Sequence, residues 1–399
     1  MTSVVADCVE TTNLPETPRH EPEESRAASA SDKVRVLHFF KTYWPDSFGG
    51  IERTIHAISR ATAPLNVTSS VLSLSGTPAD SPAQFDGHQI AKARLDLEVS
   101  STGFSTEAPK LFRRLAAEAD VIHYHFPWPF MDVVHFLARP HQPTLVTYHS
   151  DIVKQRFLRP IYSPLMHAFL SSATRIVCTS PNYLQSSRPL QRYRAKTDVI
   201  PIGIEDRFPA SSSPMPQDIR QALHGNYFLF VGVLRYYKGL DVLIEAAKLT
   251  GLPVVIAGDG PCRAELVAQA SGTNNIRFLH DVDDDRKLAL LRNCLGFVFP
   301  SNQRSEAFGI ALLEAAMMGR PMISCEIATG TSYINLHRET GLVVPPDDVG
   351  ALAEAMIEVY RNRRQSEEWG RTARTRYRSR FTAEQMGTAY ADLYRQLLN

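Results

Sequence analysis

Glu306 and Glu314 stand eight positions apart in the stretch SEAFGIALLEAAMMGRP. The first precedes a helix that we predict to start near Phe308, and the second lies about two turns into it, so both carboxylates can face one cleft. Carboxylates accept hydrogen bonds from hydroxyl groups, so one could bind a sugar and the other a ribose. The N–H groups of Phe308, Gly309 and Ile310 could face a phosphate at the helix start. The alternative is that Glu306 caps the helix and Glu314 is solvated.

Two further loops have the composition of a diphosphate site. Arg235 and Lys238 follow an apolar strand in VGVLRYYKG and precede a predicted helix at 239–249. Arginine can bind phosphate oxygens in a bidentate manner and lysine adds a mobile point charge, although such a lysine can also serve solvation alone. Gly49 and Gly50 precede a predicted helix at 51–61, where a phosphate could approach closely unless they form a plain tight turn.

His123 and His125 alternate in HYH and share one face of a predicted strand, as metal ligands could. No third ligand at a telling spacing accompanies them. We therefore favour cleft lining or packing for this pair over metal binding.

Composition and charge exclude several classes of protein. The 399 residues carry 43 Lys+Arg and 42 Asp+Glu, so the net charge of +1 indicates no nucleic-acid or membrane partner for the chain as a whole. The five cysteines are scattered without a C-x-x-C pair, which argues against a disulfide framework or a structural zinc site and favours the cytoplasm. No apolar run approaches the roughly 20 residues that cross a bilayer, and we expect no secretory signal.

Strand and helix patterns alternate along the chain, as in βαβ units with parallel sheets. Residues 1–32 are acidic and rich in Pro, Ser and Thr, which predicts a disordered tail. The Pro- and Ser-rich segment 207–218 is predicted to be a linker between two similar halves. The predicted strands are 34–40, 67–74, 120–125, 144–149, 174–180 and 198–202, followed by 227–233, 253–258, 276–279, 296–300, 321–325 and 341–344.

These motifs together resemble the retaining nucleotide-sugar glycosyltransferases of family four, which have the GT-B fold. The E-x7-E motif EAFGIALLE, the following A-x-x-x-G-x-P, and GGIER, KGLDVLIEA, GDGP and TGLVVPPDD carry the resemblance, which covers essentially everything after the tail. It implies an α/β protein with two Rossmann-like doubly wound domains facing across a cleft. The acceptor domain would span 33–206, the nucleotide-sugar domain 207–381, and the final residues, 382–399, would cross back to the first.

The resemblance also implies roles for individual residues. Glu306 would hold donor-sugar hydroxyls, and His149, at the end of TLVTYH, would lie beside the reacting sugar, although a hydrogen-bonded strand-end histidine is the alternative. Glu314 and Val282 would contact the nucleoside. The remaining implied contacts are those with the donor diphosphate, from Gly50, Arg235, Lys238, Phe308, Gly309 and Ile310.

Three departures from the family pattern bear on these roles. The usual arginine directly after the glycine is Val233 here, so Arg235 could substitute if the strand persists. His280 stands where many relatives have glycine, and the common Asn-Gly before the linker is Ile202-Gly203. We expect these changes to affect the base pocket and an acceptor-side or hinge contact, respectively.

We predict a transferase that moves a hexose from a nucleotide-diphosphate sugar to a glycan or lipid-linked acceptor. RYYKGLDVLIEA and IATGTSYIN look similar to mannosyl- and rhamnosyltransferases of bacterial O-antigen or capsule synthesis, which suggests a GDP-linked mannose-type or rhamnose donor. No cofactor or metal is expected, because cations and helix ends would stabilise the leaving diphosphate. A UDP-glucose or UDP-GlcNAc donor, a sugar-nucleotide epimerase or hydrolase, and a non-catalytic sensor are the alternatives.

The basic, apolar segment 155–170 could give peripheral contact with the inner face of the cytoplasmic membrane, or it could be a buried helix with two solvated arginines. The arginine-rich segment 361–380 is expected to be a solvated helical face and not a nucleic-acid site.

Overall fold

The structure is a computed structural model that describes residues 33–78, 83–99, 102–152, 159–207, 226–280 and 282–399. The predicted acidic tail at 1–32, the linker beyond residue 207 and the first part of the segment 155–170 lie outside these ranges. The cysteines within the ranges, Cys178, Cys262, Cys294 and Cys325, are free.

The first half of the described chain forms a sheet in the order β10-β9-β8-β7-β1-β2-β4-β3. All neighbours in it are parallel except β3 and β4. A separate antiparallel pair, β5 and β6, lies beside it. The strands are β1 (Val34–Phe39), β2 (Val67–Ser75), β3 (Ala83–Phe85), β4 (His88–Arg94), β5 (Leu97–Val99), β6 (Thr102–Phe104), β7 (Val121–Phe126), β8 (Thr144–Tyr148), β9 (Arg175–Cys178) and β10 (Thr197–Val199).

The second half forms a fully parallel sheet in the order β13-β12-β11-β14-β15-β16. Its strands are β11 (Phe228–Val231), β12 (Val254–Ala257), β13 (Ile276–Leu279), β14 (Gly296–Phe299), β15 (Met322–Cys325) and β16 (Gly341–Val344). The strand order reverses between β11 and β14 here, and between β1 and β7 in the first sheet. Ligands of doubly wound sheets bind outside the carboxyl ends of the strands at such switch points.

Helices connect the strands and cover the sheets. They are α1 (Gly50–Thr62), α2 (Ala108–Glu118), α3 (Pro129–Ala138), α4 (Arg159–Ser172), α5 (Pro181–Ser186), α6 (Arg188–Arg192), α7 (Leu240–Thr250), α8 (Arg263–Gln269), α9 (Asp284–Asn293), α10 (Ile310–Met317), α11 (Thr331–Ile334), α12 (Val349–Arg361), α13 (Arg363–Arg380) and α14 (Ala383–Gln396). No helix in the described ranges is both long enough and apolar enough to cross a membrane.

Each strand predicted from an apolar run is present, and the doubly wound architecture is confirmed. The strands β3 to β6 were not predicted, because they are short and exposed or, in β4, interrupted by polar residues. By contrast, every residue of β7 and β8 is buried. Helices on both faces of a parallel sheet exclude water from both sides. The sequences of these central strands are therefore nearly continuous apolar runs with few polar positions.

The last helix connects the second half to the first. The chain passes beside Ile204, whose N–H donates to the carbonyl of Phe381 at 3.0 Å and whose carbonyl accepts from Ala383 at 2.9 Å. Gly203 lies directly against this crossing, since a Cβ there would stand 2.2 Å from the carbonyl oxygen of Thr382. A capping box between Thr382 and Gln385 then starts α14. Helix α14 packs along α1.

The contact between α14 and α1 depends on a glycine. A Cβ at Gly387 would stand 2.5 Å from the carbonyl oxygen of Ala61 and 2.7 Å from its Cβ. We therefore expect Gly387→Ala to lower the free energy of unfolding by roughly 1–3 kcal/mol, despite the better helix propensity of alanine, because the helices must separate. Urea denaturation measures the change.

Gly76→Ala is the control for this substitution, because the space around Gly76 is open. Its effect should stay within about 0.5 kcal/mol. Equal unfolding midpoints for the two variants would contradict the close approach of α14 and α1.

Candidate active site

A lysine and a glutamate meet at the switch point of the second sheet. Lys238 lies in the loop after β11 and Glu306 in the loop after β14, and the Nζ of Lys238 donates a hydrogen bond to Oε2 of Glu306. Their side chains are only 11% and 13% exposed. The ammonium also lies 4.6 Å from the centre of the Phe299 ring. Charges so largely removed from water need a partner, and each provides it for the other.

Gly239 allows the two loops to approach. Its φ of 62° is in the left-handed region, and a Cβ would stand 2.1 Å from the carbonyl oxygen of Pro300. The N–H of Asn302 donates to the carbonyl of Tyr237 at 3.0 Å, which joins the loops directly. The glycine after Lys238 is therefore a requirement of the site's backbone.

Arg235 lies on the same loop as Lys238 and is exposed. Strand β11 ends at Val231, so the strand itself does not persist to Arg235. The backbone nevertheless stays extended at Arg235 (φ −120°, ψ 154°), and the N–H of Leu234 donates to the carbonyl of Asp259 at 2.8 Å. Val233 and Arg235 are both exposed, and the leucine between them is buried. The two side chains therefore lie on the same face, as in an extended chain whose successive side chains alternate between faces.

Helix α10 begins at Ile310, two residues later than predicted. Gly309 has a φ of 99°, which is not helical, and the Phe308 side chain is buried against Gly330. In the part of the chain that the structure describes, the N–H groups of Phe308, Gly309 and Ile310 have no hydrogen-bond acceptor. Glu306 makes no capping hydrogen bond to the helix. Three backbone donors and the positive end of α10 are therefore available beside Glu306.

Glu314 lies one turn into α10, and not two as the sequence suggested. Its Oε1 accepts from the Nζ of Lys287 at 2.6 Å, and Lys287 also donates to Asp284 at 2.9 Å. Burial lowers the pKa of Lys287, but the two carboxylates outweigh it and the pKa is raised. Glu314, Lys287 and Ile310 line a cleft of about 750 Å³ between the halves, opposite Arg53 of α1. Glu314 is therefore an ion-paired side chain, 18% exposed, on the wall of this cleft.

Gly50 is the first residue of α1, and the space beside its Cα is open. Glu52, in the first turn of α1, is buried. Its Oε1 accepts hydrogen bonds from the hydroxyls of Thr42 at 2.6 Å and Ser47 at 3.0 Å. The carboxylate thereby fixes the loop that leads from β1 into α1. Gly50 itself is exposed at the start of the helix.

His149 follows β8 and belongs to a buried group of imidazoles. Its Nε2 lies 3.0 Å from Nδ1 of His125, and Nε2 of His125 lies 3.0 Å from Nδ1 of His38. Burial lowers the pKa of His149 to about 3 and that of His38 to about 3. Burial and the neighbouring histidines also lower the pKa of His125 well below its usual value. These imidazoles are therefore neutral.

His38 corrects the expectation that no third ligand accompanies His123 and His125. Nitrogens of the three side chains lie within 4.8 Å of one another, a group that could hold a metal ion. The nitrogens of His123 are, however, already hydrogen-bonded to Tyr394 at 2.8 Å and to Thr147 at 2.7 Å. Because His125 also uses both nitrogens, the structure favours a hydrogen-bond network over a metal site.

An ion pair joins the loop of His149 to the loop of Glu306. Arg304, two residues before Glu306, donates to Oδ2 of Asp151 at 3.0 Å and to Oγ of Ser186 at 2.9 Å. Asp151 lies two residues after His149. The loops at the carboxyl edges of the two sheets therefore face each other.

Comparison with known proteins agrees with this arrangement. The model of "Glycosyltransferase Family 4" matches residues 48–208, and that of "Glycosyl transferases group 1" matches residues 214–376. The D-rhamnosyltransferase WbpZ of Pseudomonas aeruginosa is 52% identical over 353 residues, which are 88% of this chain and 93% of that protein. This chain belongs to the family 4 glycosyltransferases.

Two further similarities concern this glycosyltransferase. The O-antigen chain mannosyltransferase C of Escherichia coli is 46% identical over 92% of this chain and 99% of its own length. Among solved structures, sucrose-phosphate synthase from Thermosynechococcus elongatus has a TM-score of 0.74 at 21% identity, covering 92% of this chain and 99% of that one. The predicted GT-B fold and the predicted transferase class are confirmed. Family membership also sets aside the epimerase, hydrolase and sensor alternatives.

The assigned roles of individual residues in this glycosyltransferase stay predictions. The structure brings Lys238 and Glu306 into contact. It places Glu314 in the cleft between the halves, and it places His149 on the facing sheet. Val282 packs partly buried against the core of the second half.

Sequence reasoning missed the partners of the predicted residues. Lys287 lies in DDDRK and Arg304 in SNQRS, where nothing distinguishes them from surface cations. His38 could have been found from the sequence, because it is a polar residue inside the apolar run VRVLHFF. His280 lies 3.2 Å from Asp259, so its substitution for glycine adds a contact at this edge.

Proposed function

We propose that this glycosyltransferase transfers mannose or rhamnose from a GDP-linked donor to a hydroxyl of a glycan or lipid-linked saccharide in bacterial surface polysaccharide synthesis. The Lys238–Glu306 pair at the switch point of the second sheet supports the site. The donor and the process are supported by the two relatives, which are named as a D-rhamnosyltransferase and an O-antigen chain mannosyltransferase.

The donor diphosphate would lie against the free N–H groups of α10, with Lys238 and Arg235 beside it. Glu306 would accept hydrogen bonds from hydroxyls of the sugar, and the pair with Lys238 holds its carboxylate in place before the donor arrives. Glu314 would bind the ribose. Its carboxylate would then either release Lys287 or bind Lys287 and the ribose together. Closing the cleft excludes water that would otherwise hydrolyse the donor.

In the proposed reaction, the bond between the anomeric carbon and the phosphate oxygen breaks, and a bond to the acceptor oxygen forms on the same face of the sugar. The acceptor proton passes to the leaving phosphate. The anomeric configuration is then retained. Lys238, Arg235 and the N–H groups of α10 would stabilise the charge that develops on the diphosphate.

Metal independence is part of this proposal. Two cations and one helix end next to the diphosphate would perform the task that a divalent ion performs in other transferases. No acidic pair at the switch point is free to hold such an ion among the described residues, since Glu306 is paired with Lys238 and Glu314 with Lys287.

Removing either member of the Lys238–Glu306 pair should abolish most of the transfer. We expect Lys238→Ala and Glu306→Ala each to lower kcat/KM by about 10²–10³. Lys238→Ala removes a group that stabilises the charge of the leaving diphosphate, and Glu306→Ala removes the acceptor for the sugar hydroxyls and the partner of Lys238. Formation of the glycosidic product is measured, and circular dichroism verifies folding. Glu306→Gln preserves the shape of the side chain but removes the charge that pairs with Lys238, so it should also be impaired.

Lys248→Ala is the control for these variants. Lys248 lies on the exposed face of α7, where it pairs with Glu245 at 2.9 Å. Its turnover should equal that of the wild type. Near-normal turnover of both folded site variants would contradict the assignment of the site.

A nucleotide screen tests the donor. In excess chelator, GDP at about 100 times its Kd should stabilise the protein by about 2.7 kcal/mol, which thermal unfolding detects as a rise of several degrees. UDP at the same concentration should give a smaller shift. A larger shift with UDP would support the UDP-sugar alternative, and a shift that requires added Mg²⁺ or Mn²⁺ would contradict metal independence.

We also propose that the start of α4 contacts a membrane surface where a lipid-linked acceptor lies. Ile161, in the first turn of α4, is 79% exposed, the highest fraction for a large apolar side chain among the described residues. The neighbouring residues 153–158 lie outside the described ranges.

Ile161→Glu tests this contact by co-sedimentation with anionic phospholipid vesicles. Binding should fall by about tenfold, since one partly inserted apolar side chain and one added negative charge both act against it. Leu249→Glu is the matched control, because Leu249 is 69% exposed on α7 in the other half. Equal losses in the two variants, or no binding by the wild type, would refute the membrane contact.

A further inference from the structure

The buried imidazoles of the first sheet form a connected chain that ends at His149. His38 lies on β1 and His125 on β7, the two strands at the switch point, and His149 follows the adjacent strand, β8. The rings of His125 and His149 are stacked with centres 5.2 Å apart, and those of His38 and His125 are 5.3 Å apart. All three residues are buried. The chain therefore runs from the interior of the sheet to its carboxyl edge.

Each contact between two imidazoles joins one specific pair of nitrogens. Nδ1 of His38 meets Nε2 of His125, and Nδ1 of His125 meets Nε2 of His149, each at 3.0 Å. Within the described residues, Nδ1 of His149 has no hydrogen-bond partner, and it is not one of the fully buried unpaired atoms. The far end differs, because Nε2 of His38 is fully buried and unpaired.

A neutral imidazole carries one proton, so the two contacts allow two arrangements. In the first, His38 donates from Nδ1 to His125, which donates from Nδ1 to His149, and the proton of His149 is on Nδ1. In the second, every donor and acceptor is reversed, and the proton of His149 is on Nε2. The position of the proton on one ring thus determines its position on the other two.

The buried end of the chain distinguishes the two arrangements. The second places an N–H at Nε2 of His38, where no acceptor is available. The first leaves a lone pair there instead. Orphaned buried N–H groups are the rarer and more costly defect in folded proteins, so the first arrangement is favoured.

We propose that His38 and His125 are positioning residues that hold the proton of His149 on Nδ1, so that this nitrogen presents an N–H donor at the carboxyl edge of the first sheet. The inference rests on the proposed function in one respect, namely that His149 faces the reacting sugar. The arrangement of protons does not depend on that role.

This proton position limits what His149 can do. An Nδ1–H can donate to an oxygen of the donor sugar or of the acceptor, but it cannot take the acceptor proton. Neutral histidine in water favours the proton on Nε2. The hydrogen bonds from His38 and His125 therefore impose on His149 the less common tautomer. Its effect on the reaction would be orientation and hydrogen bonding, which agrees with the leaving phosphate as the proton acceptor.

The tautomer can be measured directly by ¹⁵N NMR of the histidine-labelled protein, with His149→Ala to assign the signal. We expect the Nδ1–H form of His149 in the wild type. His125→Asp places an acceptor and no donor near the position of Nδ1, so it should put a proton on Nε2 of His149 and lower kcat at least tenfold with little change in KM. His125→Asn retains a donor near the position of Nδ1 and should restore the tautomer and most of the turnover.

His123→Phe is the matched control. His123 lies on the same face of β7 but bonds to Thr147 and Tyr394 and not to His149. It should leave the tautomer of His149 unchanged, even where packing alters stability. An Nε2–H form in the wild type, an unprotonated Nε2 of His149 in His125→Asp, or a stoichiometric metal ion bound to these histidines would overturn the proposal.

Failure of the proposed function gives a different result. If His149→Ala retained full transfer while the wild type showed the Nδ1–H form, the role of His149 beside the sugar would be wrong and the proton arrangement would stand.

Discussion

Parallel pairing of the strands is the constraint on which the rest of the structure depends. Because crossover helices return each strand in the same direction, all carboxyl ends of a sheet lie on one edge, and the loops after them meet there. Lys238 and Glu306 are 68 positions apart, yet β11 and β14 are neighbours and their loops touch. The same rule places His38 beside His125 at the switch point of the first sheet.

Three acidic side chains of the site are each held by a cation. Lys238 holds Glu306, Lys287 holds Glu314, and Arg304 holds Asp151. Pairing compensates the loss of hydration of carboxylates inside a cleft and holds them in position before a ligand arrives. A ligand must then compete with or share these partners. This explains how the site can be rich in charge and still belong to a stable, nearly neutral protein.

The last helix follows the second half in sequence but packs on the first half. Gly387 lets α14 pack closely on α1, and the hydroxyls of Tyr390 and Tyr394 reach Thr147 and His123 inside the first sheet. The carboxyl end of the chain thus supplies hydrogen-bond partners to the strands that carry the histidines. Similarly, Arg374 and Arg376 of the arginine-rich helix α13 donate to the carbonyls of Met317 and Tyr333, so part of its charge serves packing and the rest is exposed.

Apolar runs and glycine positions are local properties of the chain, so they were enough to predict twelve of the sixteen described strands, the doubly wound class, the family and the loops that carry Lys238, Glu306 and His149. The sequence could not determine that β4 joins the first sheet, since polar residues interrupt its pattern. Nor could it determine the start of α10, the partner of Glu314 or the third histidine. Those depend on contacts between residues far apart in sequence, such as Lys287 with Glu314 and His38 with His125, which exist only once the strands are paired and the helices packed.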